Sequence, residues 1–190
     1  MSVDSNAVAN QAIQDLGGNQ PAVVGQAPNF DNSTAGKALQ RLYTPTVQTV
    51  ARQFGWDFAR CVVALTLTGN PAPIGYAYEY TYPGNGVEVW QLMPTPPFGD
   101  PNNPLPINWT VGNTLVAGTQ TKVIWASLAN AQGVYNNAPA ESVWDPLFRE
   151  AVVRLLTSVL AMAIAGKPDV AEAYLQSGAA FEAIGETRAG

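Results

Sequence analysis

Trp56-Asp57-Phe58-Ala59 stands where one pattern stops and another begins. Before it, Ala35, Leu39, Leu42, Tyr43, Val47, Val50, Ala51 and Phe54 recur at the spacing of one helix face. Asp31-Asn32-Ser33 offers cap oxygens for the start of that helix. Pro45 lies inside it and predicts a kink, because proline has no N–H and crowds the preceding turn. After Ala59, from Cys61 to Gln120, there is neither lysine nor arginine. That stretch is rich in Tyr, Trp, Pro, Gly and β-branched residues, which is strand and turn chemistry.

Within it, Tyr76-Ala77-Tyr78-Glu79-Tyr80-Thr81-Tyr82 alternates strictly, placing the tyrosines on one face of a strand. Pro83-Gly84-Asn85-Gly86 reads as a turn, and Val87-Glu88-Val89-Trp90-Gln91-Leu92 as the strand that returns beside the first. Val62 to Leu67 reads as a strand or loop wall, and Pro94 to Pro106 as an extended proline-rich loop. Ile107 to Thr110 and Leu115 to Ala117 are expected to form a hairpin around Gly112-Asn113, with Lys122 to Ala126 as the last strand.

Outside this segment the chain reads as helical. Asp4 to Leu16 is a short helix, capped by Asp4 or Ser5 and ended by Gly17-Gly18, with Val8, Ala12 and Leu16 as a thin stripe. Gly17 to Phe30 reads as a linker. Asp145-Pro146 opens a further helix with proline in its first turn. Phe148, Ala151, Val152, Leu155, Leu156, Val159, Leu160 and Ala163, widened by Val153, Ala161, Met162 and Ile164, make it apolar almost all round. Such a helix is buried on several sides. Gly166-Lys167-Pro168-Asp169 is the next turn, and a fourth helix runs from Asp169 toward Ile184. The expectation is a mainly α fold, a bundle of about four helices with an inserted antiparallel β segment. It forms a single domain, with a helical core at 1–60 and 145–185 and the β insertion at 61–128.

Composition narrows the function. The formal net charge is −5, with nine Lys and Arg scattered through 190 residues. Affinity for nucleic acid needs clustered cations to neutralise phosphates. Low charge density with many Ala, Val, Tyr and Trp points instead to surface covered by a partner, the alternative being a well-packed monomer with a polar, uncharged surface. There is no histidine, which removes the commonest general base and metal ligand. Cys61 is the single cysteine, so neither an internal disulfide nor a Cys–His metal set can form. No phosphate-binding loop ends in Lys-Ser or Lys-Thr, and Gly84-Asn85-Gly86 is a hairpin turn by its setting. Glu79 and Glu88 could approach across the expected hairpin as an acid/base pair. Two solvated strand carboxylates are the preferred reading. The tyrosine face could stack bases or sugars; with no basic groove, a protein interface or a sheet core is favoured. No secretion signal is expected at the start, and Leu155 to Gly166 is too short to span a bilayer. Synthesis in a cytoplasm is expected.

Taken together these segments resemble the head-to-tail adaptors of short-tailed bacteriophages, the tail tubular protein A family. The resemblance rests on the amphipathic helix from Ala38 to Phe54 and on Trp56-Asp57-Phe58-Ala59. It continues through the tyrosine strand into Tyr82-Pro83-Gly84-Asn85-Gly86-Val87-Glu88-Val89, and ends on Trp144-Asp145-Pro146-Leu147-Phe148-Arg149-Glu150-Ala151. The order fits from about Asn6 to about Ala183. Each motif alone is weak, and the resemblance rests on Trp56-Asp57-Phe58-Ala59, the proline-containing strand and the Phe148–Ala151 helix start occurring together. Asn85 departs from the aspartate that the family often carries there, and the Pro94–Pro106 loop is read as particular to this chain.

The resemblance implies a structural virion protein without catalysis or cofactor. It would form a ring of about twelve copies between the portal protein and the tail nozzle protein, with genomic DNA passing through a central channel without specific binding and no membrane partner. An acidic balance suits a channel to which DNA does not stick. Trp56, Phe58 and Ala59 would form the structural junction that pins the β part to the helices. Tyr76, Tyr78, Tyr80, Tyr82 and Trp90 are the candidate interface. The Gly17–Phe30 linker and the tail after Ala183 are expected to order on docking. Two other readings stand beside this one: a head completion protein of a long-tailed phage, and a tail-associated module that binds or degrades glycans through the tyrosine sheet.

Overall fold

The computed structural model describes residues 4–17, 21–53, 56–84, 86–94, 107–116, 118–166, 169 and 171–176. The chain forms two compact units, one from Met1–Ala59 with Ala138–Gly190, the other from Arg60–Asn137. The first is helical in the main. The second is built of antiparallel strands. The fold as a whole is mixed α and β, which corrects the expectation of a mainly α bundle.

In the helical unit, α1 spans Ser5–Asp15, with Asp4 as its cap accepting from the Ala7 N–H at 2.8 Å. The Gly17–Phe30 segment is not a free linker. A short hairpin, β1 (Gly25–Gln26) with β2 (Asn29–Phe30), forms there. Side chains of α1 hold it. Asn6 Nδ2 donates to the carbonyls of Val23 and Gly25 at 3.1 and 2.7 Å. Asn10 exchanges hydrogen bonds with the Val23 backbone, and Ser5 Oγ accepts from the Ala27 N–H at 2.9 Å. These amides and hydroxyls satisfy backbone that a β-ladder would otherwise serve.

Helix α2 spans Thr34–Gln53 and runs through Pro45 without ending. Pro45 is on its exposed side, where the ring meets solvent. Phe54 and Gly55 lie outside the described residues. Helix α3 spans Pro146–Leu160, with Asp145 Oδ1 accepting from the Leu147 N–H at 2.8 Å. It packs against both α1 and α2, which is why it is apolar nearly all round. A π-helical segment, Ala161–Ala165, continues it and stops at Gly166 in the left-handed region. Residues 171–176 are again helical, and Tyr174 OH donates to the Asp15 carbonyl at 2.9 Å. The rest of the expected fourth helix lies outside the described residues.

The β unit holds β3 (Arg60–Ala64), β4 (Tyr78–Thr81), β5 (Gly86–Pro94), β6 (Trp109–Val116), β7 (Thr119–Ala126) and β8 (Ala131–Asn137). They make two three-stranded antiparallel sheets, β3-β8-β5 and β4-β7-β6. Beyond β3 the chain crosses to the second sheet, where Leu67 bridges Tyr80 and the Thr81 N–H donates to the Thr66 carbonyl at 2.8 Å. Between the sheets lies an apolar core of Tyr80, Tyr82, Val89, Leu92, Ile124, Ala126, Ala131 and Tyr135.

Three expectations fail here for physical reasons. The tyrosine strand and Val87–Leu92 are not partners: β4 pairs with β7 and β5 with β8. The turn at Pro83–Gly86 carries the chain from one sheet to the other, because both strands bury one face in the same core. Gly112-Asn113 is not a turn but the middle of β6. The link to β7 falls after Val116, which pairs with Thr119. Gly112 is there because a Cβ would lie 2.1 Å from the Trp125 ring. And β7 is not the last strand. Ala131-Gln132-Gly133-Val134-Tyr135-Asn136-Asn137 has little β propensity, yet it is the central strand of its sheet, so the β unit extends to Asn137.

Candidate functional site

Two of the motifs carrying the resemblance, Trp56-Asp57-Phe58-Ala59 and the segment from Trp144, meet in one aromatic cluster of the helical unit, while the tyrosine strand and Tyr82–Val89 belong to the β unit. Trp56 follows α2 and Phe58 sits in a single 3-10 turn, Asp57–Ala59. Trp56 is 8 % exposed and its Nε1 donates to the Val50 carbonyl at 3.0 Å, fixing the ring to the end of α2. Phe148, in the first turn of α3, is fully buried. Its ring centroid lies 5.1 Å from Trp56, 5.1 Å from Phe58 and 4.9 Å from Trp144, each close to edge-to-face. That is the geometry in which ring quadrupoles attract. Ala59 is fully buried beside them. Trp144 Nε1 donates to the Pro139 carbonyl at 2.8 Å. Both places where the chain passes between the units, after Ala59 and before Ala138, are thus flanked in sequence by residues of this cluster.

The five candidate interface residues divide. Tyr80 is fully buried and Tyr82 is 8 % exposed, both within the core between the sheets. Tyr80 OH donates to the Leu128 carbonyl at 2.6 Å, and burial holds its phenol above the usual value. Tyr82 carries Lys122 Nζ 3.8 Å from its ring centre. Tyr78 is half-buried against the core. Tyr76 precedes β4 and stands beside Trp125, with ring centroids 6.5 Å apart. Trp90, on β5, is 44 % exposed and is the member of the set that faces solvent most openly.

Glu88 fits the reading of a solvated strand carboxylate, and Glu79 fits neither reading given to it. Glu88 is exposed on β5, in a different sheet from Glu79, so the two are not an acid/base pair. Glu79 is not solvated: it is 3 % exposed. Its Oε1 accepts from Thr68 Oγ1 at 2.7 Å and Asn70 Nδ2 at 3.0 Å, and its Oε2 from Trp125 Nε1 at 2.8 Å. Thr114 supplies a fourth side-chain hydrogen bond. Burial pushes this carboxyl up, and the four donors outweigh it, so the group sits below its ordinary value. A carboxylate whose lone pairs are all engaged is poorly placed to take a proton from a substrate. Its donors come from β6, β7 and the segment before β4, which no local pattern around Glu79 could reveal.

Among the described residues no group of three or more His, Cys, Asp or Glu could hold a metal ion. Among the described residues no helix is long and apolar enough to cross a membrane. Cys61 is half-buried, and its Sγ accepts from Asn137 Nδ2 at 3.2 Å. No protein-family model matches the chain, and no curated protein matches it.

Proposed function

We propose that this chain is a structural virion protein, a head-to-tail connector that forms a ring between portal and tail nozzle and lets DNA through without binding it. The observation that carries the reading is the meeting of Trp56 and Phe58 with Trp144 and Phe148 of a second, distant motif in one aromatic cluster around the buried Phe148. Those segments, distant in sequence, are two of the motifs on which the resemblance to the tail tubular protein A family rests. The acidic balance and the near absence of cations from the β unit support a surface that passes DNA and docks on protein. Catalysis is not part of the proposal. The glycan-degrading alternative loses its acid/base pair, since Glu79 is fully engaged and Glu88 belongs to the other sheet.

The test is mass spectrometry and cryo-microscopy of purified virions. The expected result is this chain in a ring at the capsid vertex. Virions that contain it nowhere near the vertex, or not at all, would refute the reading.

A further inference from the structure

We propose that β6 is a self-pairing edge, through which two free copies of this chain join antiparallel about a two-fold axis at Asn113. The inference goes beyond the connector reading and does not rest on it. β6 is the outer strand of β4-β7-β6, and among the described residues nothing pairs with its free side. An open strand edge is a template for another chain, and proteins blunt such edges with charges, prolines or bulges. β5, the other long edge, has these devices: register shifts at Gly86/Glu88 and Val89/Gln91, the charge of Glu88, and Pro94 at its end. β6 has none. Trp109-Thr110-Val111-Gly112-Asn113-Thr114-Leu115-Val116 is uncharged and proline-free, and its register with β7 is unbroken over eight pairs.

The residue pattern says what covers the edge. Trp109 packs on the core, so Val111, Asn113 and Leu115 share its side of the strand. Val111 is 39 % exposed and Leu115 71 % exposed, although both stand on that core-facing side. About Asn113 the strand is its own complement. Antiparallel pairing of two copies at that centre sets Val111 opposite Leu115 twice, and the two exposed asparagines opposite each other. In a chain of net charge −5, an uncharged strand is also the segment that can meet its own copy without repulsion. One strand pair falls at the small end of specific interfaces, so the association is concentration-dependent. A two-fold contact closes on itself. It therefore describes the free chain, and a ring would use other surfaces.

The full chain would be followed by sedimentation velocity from about 1 μM to about 1 mM, a span that brackets small interfaces. A monomer–dimer transition is expected. Asn113→Asp sets two carboxylates across the axis and is expected to raise the dissociation constant at least about tenfold. Leu115→Gln should shift it the same way. Under mild oxidation Asn113→Cys should cross-link the dimer, since paired strands bring such Cα atoms within disulfide reach. Val111→Cys alone should not, because its counterpart is Leu115; Val111→Cys with Leu115→Cys should. The wild type, with Cys61, sets the background. A chain monomeric across the whole range would overturn the proposal. So would an oligomer that ignores Asn113→Asp and Leu115→Gln and whose Asn113→Cys form does not cross-link. A ring found on virions together with either result leaves the connector reading standing and removes this one.

Discussion

Glu79 shows how a charge is kept inside a protein without a counter-ion. Four donors replace the water it has lost, and each is itself satisfied by the carboxylate. Because its folded pKa is lowered, its contribution is fully present above the ordinary glutamate value of 4.5 and is lost as pH falls through the folded value. Glu79→Gln puts an amide N–H₂ against a donor, and should destabilise the chain by about 2–4 kcal/mol, the cost of one or two donors left unpaired. Urea denaturation at neutral pH measures that loss. Comparing the two proteins' acid limbs checks the linkage, since the variant should lose less stability on acidification. Trp56 is the matching test in the helical unit. Trp56→Ala should cost about 3–5 kcal/mol, the range for a buried aromatic. A Trp56→Ala protein that melts like the wild type would show that its ring is dispensable to the cluster.

Among the elements, the helices were legible and the strands only partly so. α3 announced itself by Asp145-Pro146 and a long apolar run, both local signals. α2 was legible from its stripe despite Pro45. Replacing that exposed proline by alanine restores the missing N–H, so Pro45→Ala should raise the melting temperature, a gain of up to about 3 kcal/mol. An unchanged or lower melting temperature would mean that the proline fits the helix it interrupts. Strand pairing was not legible, because it depends on which strands share a core and not on which are neighbours. The turn from Pro83 to Gly86 looks like a hairpin in sequence and joins two sheets in space. β8 was missed because its place at the centre of a sheet, and not its composition, holds it extended. Gly112 misled for a related reason: the glycine makes room for Trp125 and does not make a turn. Gly112→Ala should destabilise the protein by about 1–3 kcal/mol, the cost of overpacking a ring already held by Glu79. Thermal melting followed by tryptophan fluorescence reads it directly. The aromatic cluster was legible as two motifs, but not as one site, since only the fold brings Phe148 to Trp56.

For the molecule as a whole, charge is the most transferable property. With nine basic residues spread through the chain and a net charge of −5, it should leave duplex DNA unshifted in a gel assay even at low salt. A shift that vanishes with added salt would contradict a passive channel lining.

The arrangement β3-β8-β5 also fixes an order of events. β8 is the middle strand of that sheet and the last of the β unit to be synthesised. Until Asn137 has left the ribosome, β3 and β5 have nothing between them, and β4 likewise waits for β7, whose Ala126 pairs with Tyr78. Every ladder of the β unit except β6–β7 closes a long loop before any pairing rewards it, which makes folding slow. This unit therefore pairs late, and its nascent strands spend that interval open to wrong partners.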